Sequence, residues 1–510
     1  MAAGVDNFDL LVVGGGVNGI GIARDAAGRG LKVLVVEQND LASATSSSST
    51  KLIHGGLRYL EYYEFRLVRE ALSEREVLLE SAPHIIWPLR FVLPHEKSLR
   101  PAWMIRIGLF LYDHLGGRKR LPPSRRVDLD RPPLNHGLKA EYRIGFEYSD
   151  CWVDDARLVV LNAMDARERG ATILTRAACT SAKRDGDGWT AEIREAAGVR
   201  KVRAKALVNA TGPWAAQFIQ RQAGITMSAQ LRLVKGSHII VPKLYTGSHA
   251  FILQNHDRRI VFAIPYEQDF TLVGTTDVAY EGEPGKVAIS PGETAYLCDV
   301  VNRHFSKSIT PKDVVWTYAG VRPLFDEDGN ASASAVSRDY VLDLDGAAGQ
   351  VPLLNVFGGK ITTYRRLSEH AMQKLRPFFP RMGDDWTTRG ILPGGDIADA
   401  DFERFAGEMA RRFAWLPATT VRRLCRAYGT RIDRVLKDAK GINDLGQNFG
   451  ADLYEREVAY LIQQEWAYSA EDILWRRSKL GLHMTADQCA ALERRLPTAA
   501  PAPALAAEGR

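Results

Sequence analysis

The sequence predicts an α/β chain that ends in an all-helical domain, and three observations carry this. Apolar strands alternate with helical stretches and glycine-bearing turns over about the first 385 residues. Residues 9–37 read as a strand, a glycine-rich turn, a helix and a second strand that ends in an acid. From about Leu392 the strand alternation stops, and amphipathic helical patterns follow.

The first unit is the most specific. Leu10–Val13 is a short buried strand, and Gly14, Gly16 and Gly19, with Gly15 and Asn18 between them, supply the G-x-G-x-x-G spacing. Gly14 permits the tight turn, Gly16 lets backbone approach a pyrophosphate, and Gly19 lets the next helix lie close to the strand with its N-terminus toward phosphates. The second strand, Lys32–Val36, ends at Glu37. Its carboxylate accepts a ribose 2′-hydroxyl and repels a 2′-phosphate, which favours FAD or NAD over NADP. A bare glycine spacing is weak evidence in a chain with 44 glycines. Two flanking apolar strands and a correctly placed acid set this one apart from a plain glycine turn.

The remaining helical patterns are 401–413, 418–427, 431–438, 455–465 and 470–480, and the Ala/Pro-rich stretch 497–510 reads as a disordered tail. A chain of 510 residues with 45% hydrophobic composition is expected to form two or three domains. Five scattered cysteines without C-x-x-C spacing argue against a disulfide framework or a structural metal site, and no metal is expected. A net charge of +6 suits anionic substrates, acidic lipid or nucleic acid alike, but no nucleic-acid recognition motif or aromatic-basic repeat is present. The first apolar stretch is already the strand at Leu10, without the pattern of an export signal, so a cytoplasmic protein is expected. No apolar run approaches the roughly 20 residues that span a bilayer. Two segments are unusually apolar, 85–93 and 103–115. In the second, Trp103, Met104, Ile107 and Leu111 stand with Arg106, Arg118, Lys119 and Arg120. This pattern fits a helix in a membrane interface or a core helix with a solvated basic end, and both readings stay open.

Three later segments return to a bound dinucleotide. Thr45, Ser46, Ser47, Lys51, Leu52, His54, Gly55 and Gly56 form a hydroxyl-rich loop suited to pyrophosphate and ribityl oxygens. The strand 206–210 exits through Thr211, Gly212, Pro213 and Trp214, where small residues allow close passage against a ligand. Gly358, Gly359, Lys360, Thr362 and Thr363 lead into an amphipathic helix, 364–375, whose N-terminus would stabilise negative charge on a reduced flavin. Each alone is an ordinary glycine turn. Three in this order read as a flavoprotein of the two-dinucleotide type.

The strings SSSSTKLIHGGLRYLEYYEFRLVREAL, PAWMIRIGLFLYDHLG, GFEYSDCWVDDARLV, LVNATGPW, KGSHIIVP, VGTTDV, WTYAGVRPL, VFGGKITTYRRL and DILWRRSKLGL resemble the FAD-dependent glycerol-3-phosphate dehydrogenases of aerobic bacteria. The resemblance runs from about Phe8 to about Leu496. It implies an FAD-binding Rossmann-like domain interleaved with an antiparallel-sheet substrate domain over 8–388, and a helical cap over 389–496. It also implies oxidation of sn-glycerol 3-phosphate to dihydroxyacetone phosphate, electrons passed to membrane quinone, and peripheral attachment on the inner face of the cytoplasmic membrane. A homodimer stays open.

Oxidising a secondary alcohol with FAD requires a base beside the flavin, and histidine suits that near neutral pH. His54 and His238 are the candidates; the loop of His54 is tied to the cofactor segment, which favours it. A phosphate dianion in a partly dry pocket requires several fixed cations. The resemblance places Arg58, Tyr59, Arg322, Arg338 and Lys360 around the pocket, with Arg322 and Lys360 the leading members. Arg322, between Gly-Val and Pro in an apolar run, is the least like a solvated surface charge. Alternatives are an oxygen-using glycerol-3-phosphate oxidase, although no obvious insertion typical of those oxidases is seen, or another flavin oxidoreductase acting on a small anion.

Overall fold

The computed structural model describes residues 5–96, 100–117, 119–225, 230–257, 259–326, 339–346 and 350–497. The predicted tail therefore lies almost wholly outside the described residues, as do Arg118 and Arg338. Within them the chain builds an eight-stranded and a ten-stranded sheet. In the first, Asp6–Val13 lies parallel between Val33–Glu37 and Gly198–Asn209, and Leu353–Phe357 and Thr172–Thr175 extend it on either side. Strands buried on both faces need continuous apolar runs, and Leu10–Val13 and Val33–Val36 provide them. The helices Val17–Gly28, Asp155–Glu168 and Tyr364–Leu375 pack together against this sheet.

The second sheet is antiparallel except where Ala250–Gln254 meets Ile86–Pro94. It is centred on Gln230–Pro242, which pairs with Trp316–Asp326 and Phe270–Gly274. Its side chains alternate between two cores. Ile239 and Val241 face one core with the helix Pro291–His304, and Ile240 faces the other with the helices Phe65–Ser81 and Ala102–Leu115. The chain supplies strands to the first sheet, then the second, then returns to each, so the two sheets are interleaved along the sequence as expected.

After Phe357 the described residues contain helices and turns, including Phe402–Arg412, Ala418–Tyr428, Ile432–Leu436 and Glu455–Glu465. Two features depart from the sequence expectation. A further helix, Ala486–Arg495, begins at a Thr485/Gln488 capping box. The helix expected over 470–480 is instead one wide π turn, Asp472–Arg477, followed by a short 3₁₀ turn at Leu480–Leu482. Arg476 and Arg477 both bind Asp40, at 2.6 and 2.7 Å, and adjacent residues of a regular helix do not share a face. Asp40 is buried beside the first strand pair and, with the buried pair Arg157–Glu465, joins the C-terminal helices to the α/β body.

Removing one partner of such a buried cluster leaves uncompensated charge. Asp40→Ala is expected to destabilise the folded chain by about 3–5 kcal/mol. Urea unfolding midpoints of the two proteins measure this, and an unchanged midpoint would contradict the anchoring role.

Candidate active site

The glycine turn is sterically obligatory. Gly14 has φ +116°, and a Cβ there would overlap the carbonyl oxygen of Ala210 on the neighbouring strand. A Cβ at Gly19 would overlap the carbonyl oxygen of Gly14. Strand, turn and helix are thus in backbone contact, and the N-terminus of Val17–Gly28 carries no acidic side chain in its first turn. Glu37 accepts the Gly15 N–H at 2.6 Å and the Asn39 N–H at 2.8 Å. Burial pushes its carboxyl up, and these two donors oppose that shift. Both of its oxygens are thus engaged by backbone N–H groups at the turn.

The three returning segments reach the same place. Ser46 Oγ accepts the Val17 N–H at 3.0 Å. Asn18 Nδ2 donates to Gly358 O at 3.1 Å, while its buried Oδ1 has no protein partner. Gly358 and Gly359 have φ of +72° and +92°, and a Cβ on Gly359 would come within 2.7 Å of Asn18 Nδ2. Gly212, at φ +57°, starts the turn carrying Trp214; Thr211 Oγ1 donates to Asn209 Oδ1 at 2.7 Å, and the Asn209 amide bridges to Asn355. Thr45 Oγ1 donates to Val321 O at 2.7 Å, which ties the hydroxyl loop to the strand that bears Arg322.

The side chains of Lys51 and Leu52 point into the body of the protein, so any contact of these two residues with a cofactor would be made by their backbone. The Lys51 ammonium is buried, 2.7 Å from Asp155 Oδ1 and 3.1 Å from Ser47 O, so it braces the loop from inside. Ser47 Oγ likewise donates within the loop, to Ala44 O. Leu52 pairs with Trp152 and packs into the second sheet's core.

The two histidines differ in surroundings. His54 is half-buried; its backbone N–H meets Thr362 Oγ1 at 3.3 Å, and its ring lies edge-on to Phe262. Burial lowers its basicity, Asp150 opposes that, and Lys360 and Arg75 add to it. His238 is enclosed: Nε2 is 3.0 Å from Thr50 Oγ1, the ring stacks on Tyr318, and Nδ1 has no protein partner. Burial, with Lys51 and Arg322 nearby, pushes His238 down to about 3.

Among the cations, Lys360 Nζ lies 4.1 Å above the ring of Tyr59, which brings the helix-364 entry onto the loop after Gly56. Arg58 Nη2 donates to Tyr62 OH at 3.3 Å, and its Nε has no protein partner. Arg322 Nη2 donates to Asp277 Oδ1 at 3.0 Å. His54, Tyr59, Lys360 and Thr362 therefore form one group, with the Arg58 side chain turned to Tyr62 beside it; Arg322, His238 and Thr50 meet it through the hydroxyl loop. Three residues escaped the sequence reading: Tyr112, Asp150 and Arg75 lie buried beneath Gly55. The acid inside the apolar run GFEYSDCWV was the available signal for Asp150.

A turn with no room for a Cβ at Gly14 or Gly19, a carboxylate at the end of the second strand, a free amide oxygen at Asn18 and a helix N-terminus fit a flavin dinucleotide. Comparison with known proteins agrees. The family model described as FAD dependent oxidoreductase matches residues 9–365, and that of the C-terminal domain of alpha-glycerophosphate oxidase matches 386–501. The chain is 58% identical to a glycerol-3-phosphate dehydrogenase of Pseudomonas aeruginosa, over 94% of this chain and 93% of that one. It is 56% identical to a D-erythritol 1-phosphate dehydrogenase of Brucella abortus, over 95% and 97%. The solved structure of a glycerol-3-phosphate dehydrogenase from Bacillus halodurans complexed with FAD superposes with TM-score 0.74 at 28% identity, covering 93% of this chain and 86% of that one.

The glycine contacts make a direct prediction. Gly19→Ala is expected to purify without the visible absorbance of flavin, because helix and turn must separate to admit the methyl group. Full flavin content in that variant would show that the cradle tolerates the shift.

Proposed function

The chain belongs to the family of FAD-dependent glycerol-3-phosphate dehydrogenases, and on that premise we propose that it oxidises the C2 hydroxyl of sn-glycerol 3-phosphate to the ketone of dihydroxyacetone phosphate, with membrane quinone as electron acceptor. The observation that carries this reading is the grouping of His54, Tyr59 and Lys360, from segments about 300 residues apart, beside the dinucleotide cradle.

When bound, FAD supplies the two-electron acceptor for the C2 hydride. Gly14, Gly15, Gly16, Asn18, Gly19 and Glu37 would hold its adenine-nucleotide half, and Thr45, Ser46, Thr211, Gly212, Trp214, Gly358, Gly359, Thr362 and Thr363 would line the remainder. His54 takes the hydroxyl proton. Its lowered basicity keeps it neutral, and so able to accept, at neutral pH. Lys360, Arg322 and Arg58 clamp the phosphate, with Tyr59 as the platform that fixes the Lys360 ammonium. Arg338 joins the clamp by resemblance alone. The unpartnered Nδ1 of His238 favours it as the second candidate base.

A four-carbon polyol phosphate is the second substrate reading, because the similarity to the D-erythritol 1-phosphate dehydrogenase is as extensive as that to the glycerol-3-phosphate enzyme. Anaerobic bleaching of the flavin by each compound separates the two: glycerol 3-phosphate is expected to give the larger kcat/KM. Quinone reduction is expected to exceed peroxide formation, and the opposite ratio would make the enzyme an oxidase.

Among the described residues no helix is long and apolar enough to cross a membrane. The helix Ala102–Leu115 nevertheless leaves Trp103 64% and Phe110 61% exposed, with Ile107 and Met104 beside them, while Ile105, Leu109 and Tyr112 face the core. Tyr62, Tyr63 and Phe65 are exposed on the adjoining segment, and Arg106, Lys119 and Arg120 are exposed on or just after the helix. An aromatic and apolar face with basic neighbours suits the headgroup region of an acidic bilayer, here the inner face of the cytoplasmic membrane. The division of the chain near residue 388 belongs to the same reading, supported by the loss of strands after Phe357 and the second family match from 386.

His54→Gln is expected to slow flavin reduction by about a hundredfold or more in single-turnover kinetics. A normal rate would move the base to His238. Arg322→Ala is expected to raise KM by about ten- to a hundredfold with flavin retained, because one charge-assisted contact of roughly 1.5–3 kcal/mol is lost; loss of FAD would reassign the residue. Trp103→Glu is expected to reduce co-sedimentation with acidic lipid vesicles while leaving turnover in solution unchanged, and undiminished binding would remove this face from the docking surface.

A further inference from the structure

A buried charge lies directly under the loop that carries His54. The Gly55 N–H donates to the Tyr112 hydroxyl at 2.8 Å, and that hydroxyl donates to Asp150 at 2.8 Å. Asp150 Oδ1 is itself 3.4 Å from Gly55 N. Arg75 fixes the carboxylate from the far side, with Nη1 2.7 Å from Asp150 Oδ1 and 2.8 Å from Ser149 O. Tyr112, Asp150 and Arg75 are each at most 3% exposed, so none is a solvated surface group.

Packing alone does not require this arrangement. An apolar core under a glycine turn would leave the Gly55 N–H unpaired, but a hydroxyl alone would satisfy it without a buried ion. Gly55 has no room for a side chain, since a Cβ would overlap Leu72 and approach Tyr112 Oη at 2.8 Å. The loop backbone is therefore clamped onto the hydroxyl, and the carboxylate is held one residue from the imidazole.

We propose that Asp150, acting through Tyr112 and by its own charge, is a positioning residue for His54: it fixes the loop at Gly55 and stabilises the imidazolium that forms when His54 takes the substrate proton. The inference rests on His54 being the base. No hydrogen bond links the Asp150 carboxylate to the His54 ring, so its influence is exerted through the backbone and through space. The charged groups that bear on His54 are Asp150, which favours the protonated ring, and Lys360 and Arg75, which oppose it; Arg75 is already paired with Asp150. Thr362 and Phe262 are neutral groups that touch it.

The sign of the effect follows. A base works in its neutral form, so the rate rises as pH passes upward through its pKa. Removing the Asp150 charge makes protonation of His54 harder, which moves that limb to lower pH and, through weaker basicity, lowers the plateau. A variant that merely loosens packing lowers the plateau and leaves the limb in place.

The test is stopped-flow reduction of the bound flavin by glycerol 3-phosphate across pH, in Asp150→Asn, Tyr112→Phe and His54→Gln holoenzymes. Asp150→Asn is expected to reduce flavin about tenfold more slowly with KM little changed and the acidic limb shifted to lower pH, since one pKa unit of lost stabilisation is a factor of ten. Tyr112→Phe keeps the charge and loses the clamp, so its plateau falls while its limb stays. An Asp150→Asn limb that does not move, or a Tyr112→Phe rate equal to wild type, overturns the proposal. If Asp150→Asn does not fold, Tyr112→Phe decides by two readings: a lowered rate with flavin content and thermal unfolding midpoint unchanged supports the positioning role, and a wild-type rate, or a rate that falls only together with the midpoint, overturns it. A His54→Gln enzyme with a normal rate and limb overturns the base assignment itself, a different failure from an unmoved limb in Asp150→Asn when His54→Gln is inactive.

Discussion

The ion pair between Lys51 and Asp155 is the constraint on which the site depends. Lys51 lies where the chain leaves the first sheet for the second, and its ammonium is enclosed with the carboxylate 2.7 Å away. Asp155 also accepts the Ser49 hydroxyl at 2.8 Å and the Ala156 N–H at 2.9 Å, in the first turn of the helix that Asp154 caps. Burial opposes ionisation of Asp155, and Lys51, Lys479 and the Ser49 hydroxyl together more than offset it, holding the carboxyl below its ordinary range. Two charges removed from water persist only when each finds its full set of partners. Here they do, and the hydroxyl loop before Lys51 and the His54 loop after it are thereby fixed relative to the helix Asp155–Glu168. Tyr318 adds to the same knot, with its ring 5.1 Å from Lys51 Nζ and its hydroxyl on Ser49 O.

What the sequence made legible follows from the range of the interactions. The unit from Leu10 to Glu37 is local: strand, turn and helix each carry their own signal, and the helix Tyr364–Leu375 starts and stops where its apolar period does. The ion pair of Lys51 is not legible for the opposite reason: the partner of its ammonium stands 104 residues away. The wide turn at Asp472–Arg477 was equally invisible, because the force that opens it is Asp40, from the other end of the chain. The interleaving of the sheets came only from resemblance to known enzymes; the pairing of Asp6–Val13 with Gly198–Asn209 spans nearly two hundred residues and leaves no periodic trace.

The two histidines illustrate how one residue type is given two environments. His238 sits in a strand whose neighbours at Gly274 and Tyr318 close over the ring, and burial with adjacent cations makes its charged form inaccessible near neutral pH. His54 sits in a loop between the cradle and the cations, half-open, with a carboxylate nearby to oppose desolvation. Proton transfer requires a group that can change charge, so the loop histidine is the better suited and the strand histidine the better buttressed.

The helix Ala102–Leu115 joins the surface to the chemistry. Its outer residues, Trp103, Ile107 and Phe110, are exposed, and its inner residue Tyr112 holds the backbone beside His54. A helix moves as a rigid body, so Trp103 and Tyr112 cannot be displaced independently. The helix is held by its inner contacts with the second sheet's core and by Asp113, which accepts the Ser124 N–H and hydroxyl at 2.8 and 2.6 Å. An apolar face of this kind is unfavourable in water, roughly 25 cal/mol for each Å² exposed. Tyr112 makes its contacts from the inner face of the helix, so the exposure of Trp103, Ile107 and Phe110 is not needed for those contacts.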